Sequence, residues 1–213
     1  MVSSGRQDME ALRAQISALN HVSCPEAIQP DAAPFSIPEL DNALPEGGLA
    51  RGVLHEFVPS SYADYPAALG FAGCLLQQLA GARLPVLWCS LGRGLDHPPL
   101  PFPPGLHSLG LKVEQVLHIE VQTEKELLWV LEEGLSSPSC PLLIAAISQP
   151  EKLYDFTASR RLSLRAARHG GTLLLVRHHR ALHPAHRRGS TAAATRWSIS
   201  SRPSQPDYFS NAR

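Results

Sequence analysis

The chain has 213 residues, 44% of them hydrophobic, which suffices for one α/β domain of ordinary size with a buried core. No apolar run reaches the ~20 residues that span a bilayer, and residues 1–20 lack a signal-peptide core, so we expect a cytoplasmic protein without membrane contact. The four cysteines are widely spaced and include no CxxC pair, which argues against a disulfide framework or a zinc site.

The formal net charge of zero conceals two portions of opposite sign. Residues 1–150 carry 7 Lys or Arg and 16 Asp or Glu, whereas residues 151–213 carry 12 and 3. The basic C-terminal portion is therefore predicted to meet a negative partner, either nucleic acid or an acidic protein face. The alternative is that the two portions neutralise each other.

The N-terminal segment is predicted to form a semi-detached amphipathic helix at 1–22. Four apolar side chains recur in it at helical spacing and form a stripe that could dock on its own domain or on a partner: Met9, Leu12, Ile16 and Leu19. Four prolines between positions 25 and 38 interrupt any helix, so residues 23–36 are predicted to be a linker. A main domain at 37–200 and a disordered tail at 201–213 complete the predicted organisation.

The main domain alternates apolar strands with helices. Strands are predicted at 52–58, 84–90, 116–121, 141–147, 172–178 and 195–200. Helices are predicted at 65–81, at 123–135, where Thr123 and Glu126 have capping-box spacing, and at 155–171, which ends in a glycine pair. Strands that are apolar throughout and are each followed by a helix are typical of a parallel sheet covered on both faces. The sequence thus predicts a three-layer α/β domain, with a Pro/Gly-rich loop at 91–105.

The junction after the first strand, VPSSYADYPAA (58–68), lies where open α/β sheets hold phosphate groups. It has no glycine to wrap a phosphate and no lysine to neutralise one, and the Asp64 carboxylate would repel a triphosphate. We interpret four residues as a degenerate phosphate-loop position: Ser60, Ser61, Asp64 and Tyr65. Asp64 is predicted to cap the helix that follows, with Pro66 in its first turn.

Other catalytic and metal-binding patterns are missing as well. The strand LLIAAIS (142–148) ends without the Asp that holds Mg²⁺ in nucleotide hydrolases, and the chain has no G-x-S-x-G elbow. Four histidines of the basic portion have no Cys or acidic partner and are interpreted as solvated loop residues: His178, His179, His183 and His186. We therefore expect no enzyme activity, no cofactor and no bound metal.

The stretch LDNALPEGGLARGVLHEF (40–57) resembles the opening of RecA-like domains, and the order of strands and helices stays similar as far as residue 200. Within that superfamily, further pieces resemble the ImuA family, RecA-like accessory proteins of bacterial damage-induced mutagenesis. They are GGLARGVLHEF, LPVLWCS with ELLWVLEEGL (126–135), and above all DFTASRRLSLRAAR (155–168) followed by TRWSIS (195–200).

The resemblance implies a RecA-like fold without recombinase activity. The implied role is a non-catalytic adaptor in SOS mutagenesis and translesion DNA synthesis, nucleoid-associated when DNA is damaged. Its implied partners are an ImuB-like Y-family polymerase relative, an error-prone polymerase reached indirectly, and RecA. An alternative is a cell-division inhibitor similar to SulA, which also lacks a phosphate loop on a RecA-like core and acts on FtsZ. A third, an ATP-dependent recombinase, requires nucleotide to bind in an unfamiliar way.

In RecA-like proteins the loops after the fourth and fifth core strands face DNA, and the resemblance assigns residues 148–156 and 178–194 to these loops. The second loop lies in the basic portion, where cations would bind phosphates weakly and without reading sequence. The candidate nucleic-acid or partner contacts are Arg177, Arg180, Arg187, Arg188, Arg160 and Arg161.

Two expectations concern the direction of side chains. Arg160 and Arg161 lie on a helix that is expected to bury Leu162 and Leu164, which favours contact with solvent or a protein partner over contact with DNA. Trp197 alternates with polar residues and is interpreted as a strand-face residue rather than a platform for stacked bases.

Overall fold

A computed structural model describes residues 32–44, 46–80, 85–91, 102–147, 152–182 and 190–203. The predicted helix at 1–22 with its apolar stripe lies outside the described residues. So do Arg187 and Arg188 and most of the predicted tail.

The described residues contain eight strands, which form two sheets. They are β1 (Ala32–Ala33), β2 (Leu49–Ala50), β3 (Leu54–Pro59), β4 (Val86–Leu91), β5 (Val116–Val121), β6 (Leu142–Ile147), β7 (Thr172–Val176) and β8 (Thr195–Ile199). The first two pair antiparallel, and the other six form the central sheet in the order β5-β4-β6-β7-β3-β8, with every pairing parallel. Parallel strands need crossover connections, which here run through helices on the two faces of the sheet.

The helices are α1 (Pro38–Asp41), α2 (Tyr65–Ala80), α3 (Pro103–Ser108), α4 (Glu124–Ser136) and α5 (Phe156–His169). The helix α2 covers one face of the sheet, and α4 and α5 lie side by side on the other, each face enclosing its own apolar core. This arrangement confirms the predicted three-layer α/β fold with a mostly parallel central sheet. Among the described residues, no helix has the length and apolarity needed to cross a bilayer.

Local sequence features determine the ends and the packing of α4 and α5, the two helices on the second face of the sheet. Thr123 and Glu126 form the predicted capping box at the start of α4, each accepting from the backbone N–H of the other. A side chain at Gly134 would bring its Cβ within 2.7 Å of a Leu87 methyl group and 2.8 Å of a Leu143 methyl group, so a larger residue would force both leucines to shift. Gly170, in the left-handed conformation at φ 72°, ends α5 as predicted.

The described part of the predicted linker belongs to the domain. Ala33 and Phe35 are buried, and the Phe35 ring packs 6.3 Å from Phe71 and 5.7 Å from Trp197. Burial of these apolar groups offsets the entropy of ordering residues that the proline pattern alone assigns to a linker. Trp197 lies on the strand face, as predicted.

The helix α3 begins within the segment that was predicted as a loop. Prolines favour turns in general, but at the first positions of a helix they cost no hydrogen bond, and Pro103 and Pro104 occupy those positions.

Candidate functional site

The degenerate phosphate-loop position is filled by the chain's own C-terminal segment. The Asp64 carboxylate accepts hydrogen bonds from the backbone N–H of Ser201 at 2.8 Å, from the Ser201 hydroxyl, and from the Ser61 hydroxyl at 2.7 Å. Nearby, the N–H of Ser60 donates to the carbonyl of Ile199 at 2.8 Å. The Ser201 hydroxyl, then the Ser61 hydroxyl and the Ser201 N–H, lower the pKa of Asp64 to about 2. The carboxylate is therefore ionised and its oxygens are occupied.

Asp64 does not cap α2 in the predicted way. A 3-10 turn at Tyr62–Asp64 precedes α2, so helical structure begins three residues earlier than expected, with Ser61 as its N-cap residue. Asp64 thus lies inside the first turn, where its side chain reaches back to Ser61 and across to Ser201. Tyr65, the last of the four predicted residues, is buried at the start of α2.

Beneath this position lies a buried ionic cluster centred on Glu56 of β3. Its carboxylate accepts from the Tyr154 hydroxyl at 2.6 Å, from Nη1 of Arg177 at 3.0 Å and from Nε of Arg196 at 2.8 Å. The guanidinium of Arg177 also lies 4.8 Å from the centre of the Tyr154 ring. Glu56 is fully buried and Arg177 is 6% exposed. The structure therefore does not present Arg177 as an exposed contact for nucleic acid or a partner, because its charge is neutralised inside the domain.

The other predicted cations divide between two places. Arg180 is exposed, and its backbone N–H donates to Nδ1 of His178 in the turn after β7. Arg160 and Arg161 are exposed on α5. The structure thus separates the predicted contacts into a core residue, a turn residue and a helical pair.

Of the two described histidines in the predicted solvated cluster, one is buried and the other is partly exposed. His178 is buried and its ring lies 4.1 Å from the ring of His179, which also contacts Tyr62 edge-on. Burial, together with the charge of Arg180, lowers the pKa of His179. Among the described residues, no three His, Cys, Asp or Glu side chains come together to hold a metal ion.

A groove of about 390 Å³ runs between α4 and α5 on the outer surface of the domain. Its apolar lining comes from Leu128 and Trp129 of α4, Ala158 of α5, and Leu153 of the preceding loop. Trp129 is 64% exposed and Leu153 is 51% exposed, which is unusual for side chains of this size. We refer to this feature as the α4–α5 groove.

The loop that carries Leu153 is fixed on both sides. The Glu124 carboxylate accepts from the backbone N–H of Lys152 at 2.9 Å and of Tyr154 at 2.7 Å. The Tyr154 side chain then enters the Glu56 cluster, and Asp155 caps α5 by accepting from Ala158 at 2.8 Å. The α4–α5 groove is consequently preformed, since its exposed leucine lies between two backbone anchors.

The outward face of α5 is basic and partly apolar. The helix carries four arginines and no acidic residue. Glu132 of α4 accepts from Arg161 at 3.2 Å and from Arg165 at 3.0 Å, while Arg160 forms no ion pair with any described residue. Leu164 is 59% exposed, so the prediction that it is buried is wrong. Residues two apart on a helix point about 200° apart, and Leu162 takes the direction of the core.

Trp129 was not among the residues singled out from the sequence, although a signal for it exists. The buried stripe of α4 contains Leu127, Leu131 and Leu135. Trp129 lies on the opposite side of the helix from this stripe, and a large apolar side chain in that position suggests a contact outside the domain.

Comparison with known proteins finds similar chains among solved structures. No protein-family model matches the chain, and no curated protein matches it. Among solved structures, the chain is similar to SulA from Pseudomonas aeruginosa at 20% sequence identity with a TM-score of 0.41. The match covers 58% of this chain and 96% of the SulA chain. It assigns neither an activity nor a partner to this protein.

Proposed function

We propose that the protein is a non-catalytic adaptor in SOS mutagenesis and translesion DNA synthesis. The observation that carries the proposal is the α4–α5 groove together with the basic outward face of α5. The segments 126–135 and 155–168, which bear much of the resemblance to the ImuA family, pack side by side and present Trp129 and Arg160 to solvent. Exposed aromatic and arginine side chains are typical of protein-binding surfaces.

The state of the phosphate-loop position supports a non-catalytic role. A nucleotide would have to displace Ser201 from Asp64 and then lie against an ionised carboxylate. No glycine or lysine is present there to repay this cost. Calorimetric titration with ATP should therefore give no binding at micromolar concentrations, and binding in that range would contradict this part of the proposal.

The partner in this proposal is an ImuB-like Y-family polymerase relative, through which the protein reaches an error-prone polymerase. RecA and weakly bound DNA are secondary partners. The site of action is cytoplasmic, at the nucleoid of damaged cells.

Co-purification tests the adaptor role. The full chain, a form lacking residues 1–22 and a form lacking residues 204–213 would each be co-expressed with a tagged ImuB-like protein. The second deletion starts at 204 because Trp197 and Ser201 belong to the folded domain. We expect the full chain to be retained, and the deletions report whether either end contributes.

Failure of the full chain to co-purify would overturn the adaptor role. Filamentous growth on expression, together with retention by FtsZ, would favour the SulA-like alternative instead.

A further inference from the structure

We infer that the α4–α5 groove binds an acidic amphipathic helix of the partner protein. An apolar anchor of that helix enters between Trp129 and Leu153, and its carboxylates meet Lys125 and Arg161, the two cations that line the groove. The inference rests on the proposed function for the existence of a protein partner, and it adds the chemistry by which that partner is recognised.

The apolar part of the inference follows from exposure. Leu128 and Ala158 form a buried floor, and Trp129 and Leu153 stand above it with more than half of their surface in water. A side chain inserted between them removes apolar area from water on both partners. Tryptophan in such a setting is the residue type most often found to dominate binding energy.

The geometry favours a helix over an extended segment. The groove follows two packed helices, and a helix can place apolar side chains along it at a spacing of three and four residues. Leu153 needs no ordering on binding, because Glu124 already holds the backbone on both sides of it. A preformed site of this kind loses little conformational entropy when the partner arrives.

The charged side chains around the groove favour a partner with negative charge. The carboxylates around the groove already accept hydrogen bonds: Glu124 from the loop, Asp155 from the first turn of α5, and Glu132 from two arginines. By contrast, Lys125 lines the groove and forms no ion pair with any described residue, and the Arg161 side chain keeps 56% of its surface exposed beside Glu132. Anionic groups on the partner would therefore find open donors. A phosphate backbone has the same sign but no apolar side chains for the groove, which favours a protein partner over nucleic acid.

The first experiment uses intrinsic fluorescence of the full chain. The probe is a short synthetic helix with Leu and Phe on one face and Glu on the other, and its control replaces every Glu by Lys. Trp129 is exposed, whereas Trp88 is buried and Trp197 packs among aromatic rings, so a blue shift on binding reports Trp129. We expect binding by the acidic peptide that weakens with salt, and none by the lysine peptide.

Two substitutions locate the binding. Trp129→Ala and Lys125→Glu should each weaken acidic-peptide binding about tenfold or more, measured with a labelled peptide. Phe102→Ala is the matched control, because Phe102 is 68% exposed and lies outside the groove. Acidic-peptide affinity that is unaffected by the first two substitutions would overturn the inference. Equal binding and equal sensitivity with single-stranded DNA would identify a nucleic-acid surface instead.

The same Trp129→Ala variant separates this inference from the adaptor role. If the ImuB-like protein retains the variant as well as the natural chain, the adaptor role stands and the groove assignment fails. If the acidic peptide binds through Trp129 but the ImuB-like protein never co-purifies, the groove stands and the adaptor role fails.

Discussion

Arg177, which directly follows β7, and Glu56 of the neighbouring strand β3 are 121 positions apart in the chain, and Nη1 of Arg177 donates to the Glu56 carboxylate at 3.0 Å in the interior of the domain. Two of the twelve cations in the basic portion, Arg177 and Arg196, thus serve Glu56. The positive charge that remains at the surface is therefore smaller than the sequence suggests. The exposed cations include those on the outward side of α5.

The Glu56 cluster should be a major determinant of stability. Glu56→Ala would leave the buried Arg177 guanidinium without its counter-ion, and loss of one partner from a buried pair costs about 3–5 kcal/mol. Urea unfolding at neutral pH measures the difference. Arg160→Ala, an exposed control, should change the unfolding free energy by no more than about 0.5 kcal/mol. Equal effects of the two substitutions would contradict the geometry of the cluster.

DNA binding, if present in the basic loop, should depend on three of its arginines. Changing Arg180, Arg187 and Arg188 together to Ala should weaken binding to single-stranded DNA and reduce its salt dependence, since each lost phosphate contact removes about 0.7 from the slope. Anisotropy with a labelled oligonucleotide over a salt series measures both quantities. Lys112→Ala, at an exposed position outside this loop, serves as the control and should leave affinity unchanged. A triple variant that binds as tightly as the natural chain would exclude this loop.

Stability should fall as the solution is acidified from pH 6.5 towards pH 4, because of His55. The ring is buried between the Ala50 carbonyl, 2.8 Å from Nε2, and the Thr195 hydroxyl, 2.7 Å from Nδ1. Burial lowers its pKa to about 4, and the hydrogen bond to Ala50 offsets this only in part. The unfolded chain therefore takes up a proton at a higher pH than the folded chain does, and the stability lost across this window is about 3 kcal/mol.

Unfolding curves at pH 7, 5.5 and 4 test this expectation, with His55→Gln as the comparison. The variant should be less stable at pH 7 but should lose less on acidification, because its side chain cannot take up a proton. Asp64 stays ionised throughout, since its pKa is about 2. His179 has a lowered pKa and contributes in the same direction, so some pH dependence should persist. If the unfolding free energy of the variant falls with pH as steeply as that of the natural chain, His55 is not the cause of the pH dependence.

Two leucines of α5 form a matched pair. Leu162 is fully buried and Leu164 is 59% exposed. Leu162→Ala should lower the unfolding free energy by about 2–5 kcal/mol through lost burial and a residual cavity, whereas Leu164→Ala should change it by no more than about 0.5 kcal/mol. Thermal or urea unfolding of the two variants decides the matter. Similar losses in both would mean that α5 faces the sheet with a different side.

Local patterns predicted most of the fold, because they depend on residues close in sequence. The Thr123–Glu126 capping box, the Gly170 stop and the strand at 116–121 all lie where predicted. Apolar runs alternating with helices were enough to give a parallel sheet, since each run has to be buried on both faces.

The candidate site was harder to predict because it depends on long-range pairs. Nothing near Arg177 in the sequence points to Glu56, and nothing near Asp64 points to Ser201. The periodicity of α5 identifies Leu162 as a core residue but does not exclude Leu164, because an apolar pattern defines the buried face of a helix only approximately. Contacts between residues far apart in the sequence depend on how the whole domain packs, and a single sequence gives no direct signal for them.

The hydrogen bonds between Ser201 and Asp64 have a consequence for how the molecule responds to its surroundings. A bound nucleotide dissociates when its concentration drops. Ser201 is covalently part of the same chain, so its effective concentration at Asp64 stays constant. We expect this edge of the sheet to hold one conformation whether the cell is rich or poor in ATP. Control of such a protein then rests with its abundance and with its binding partners rather than with metabolic state.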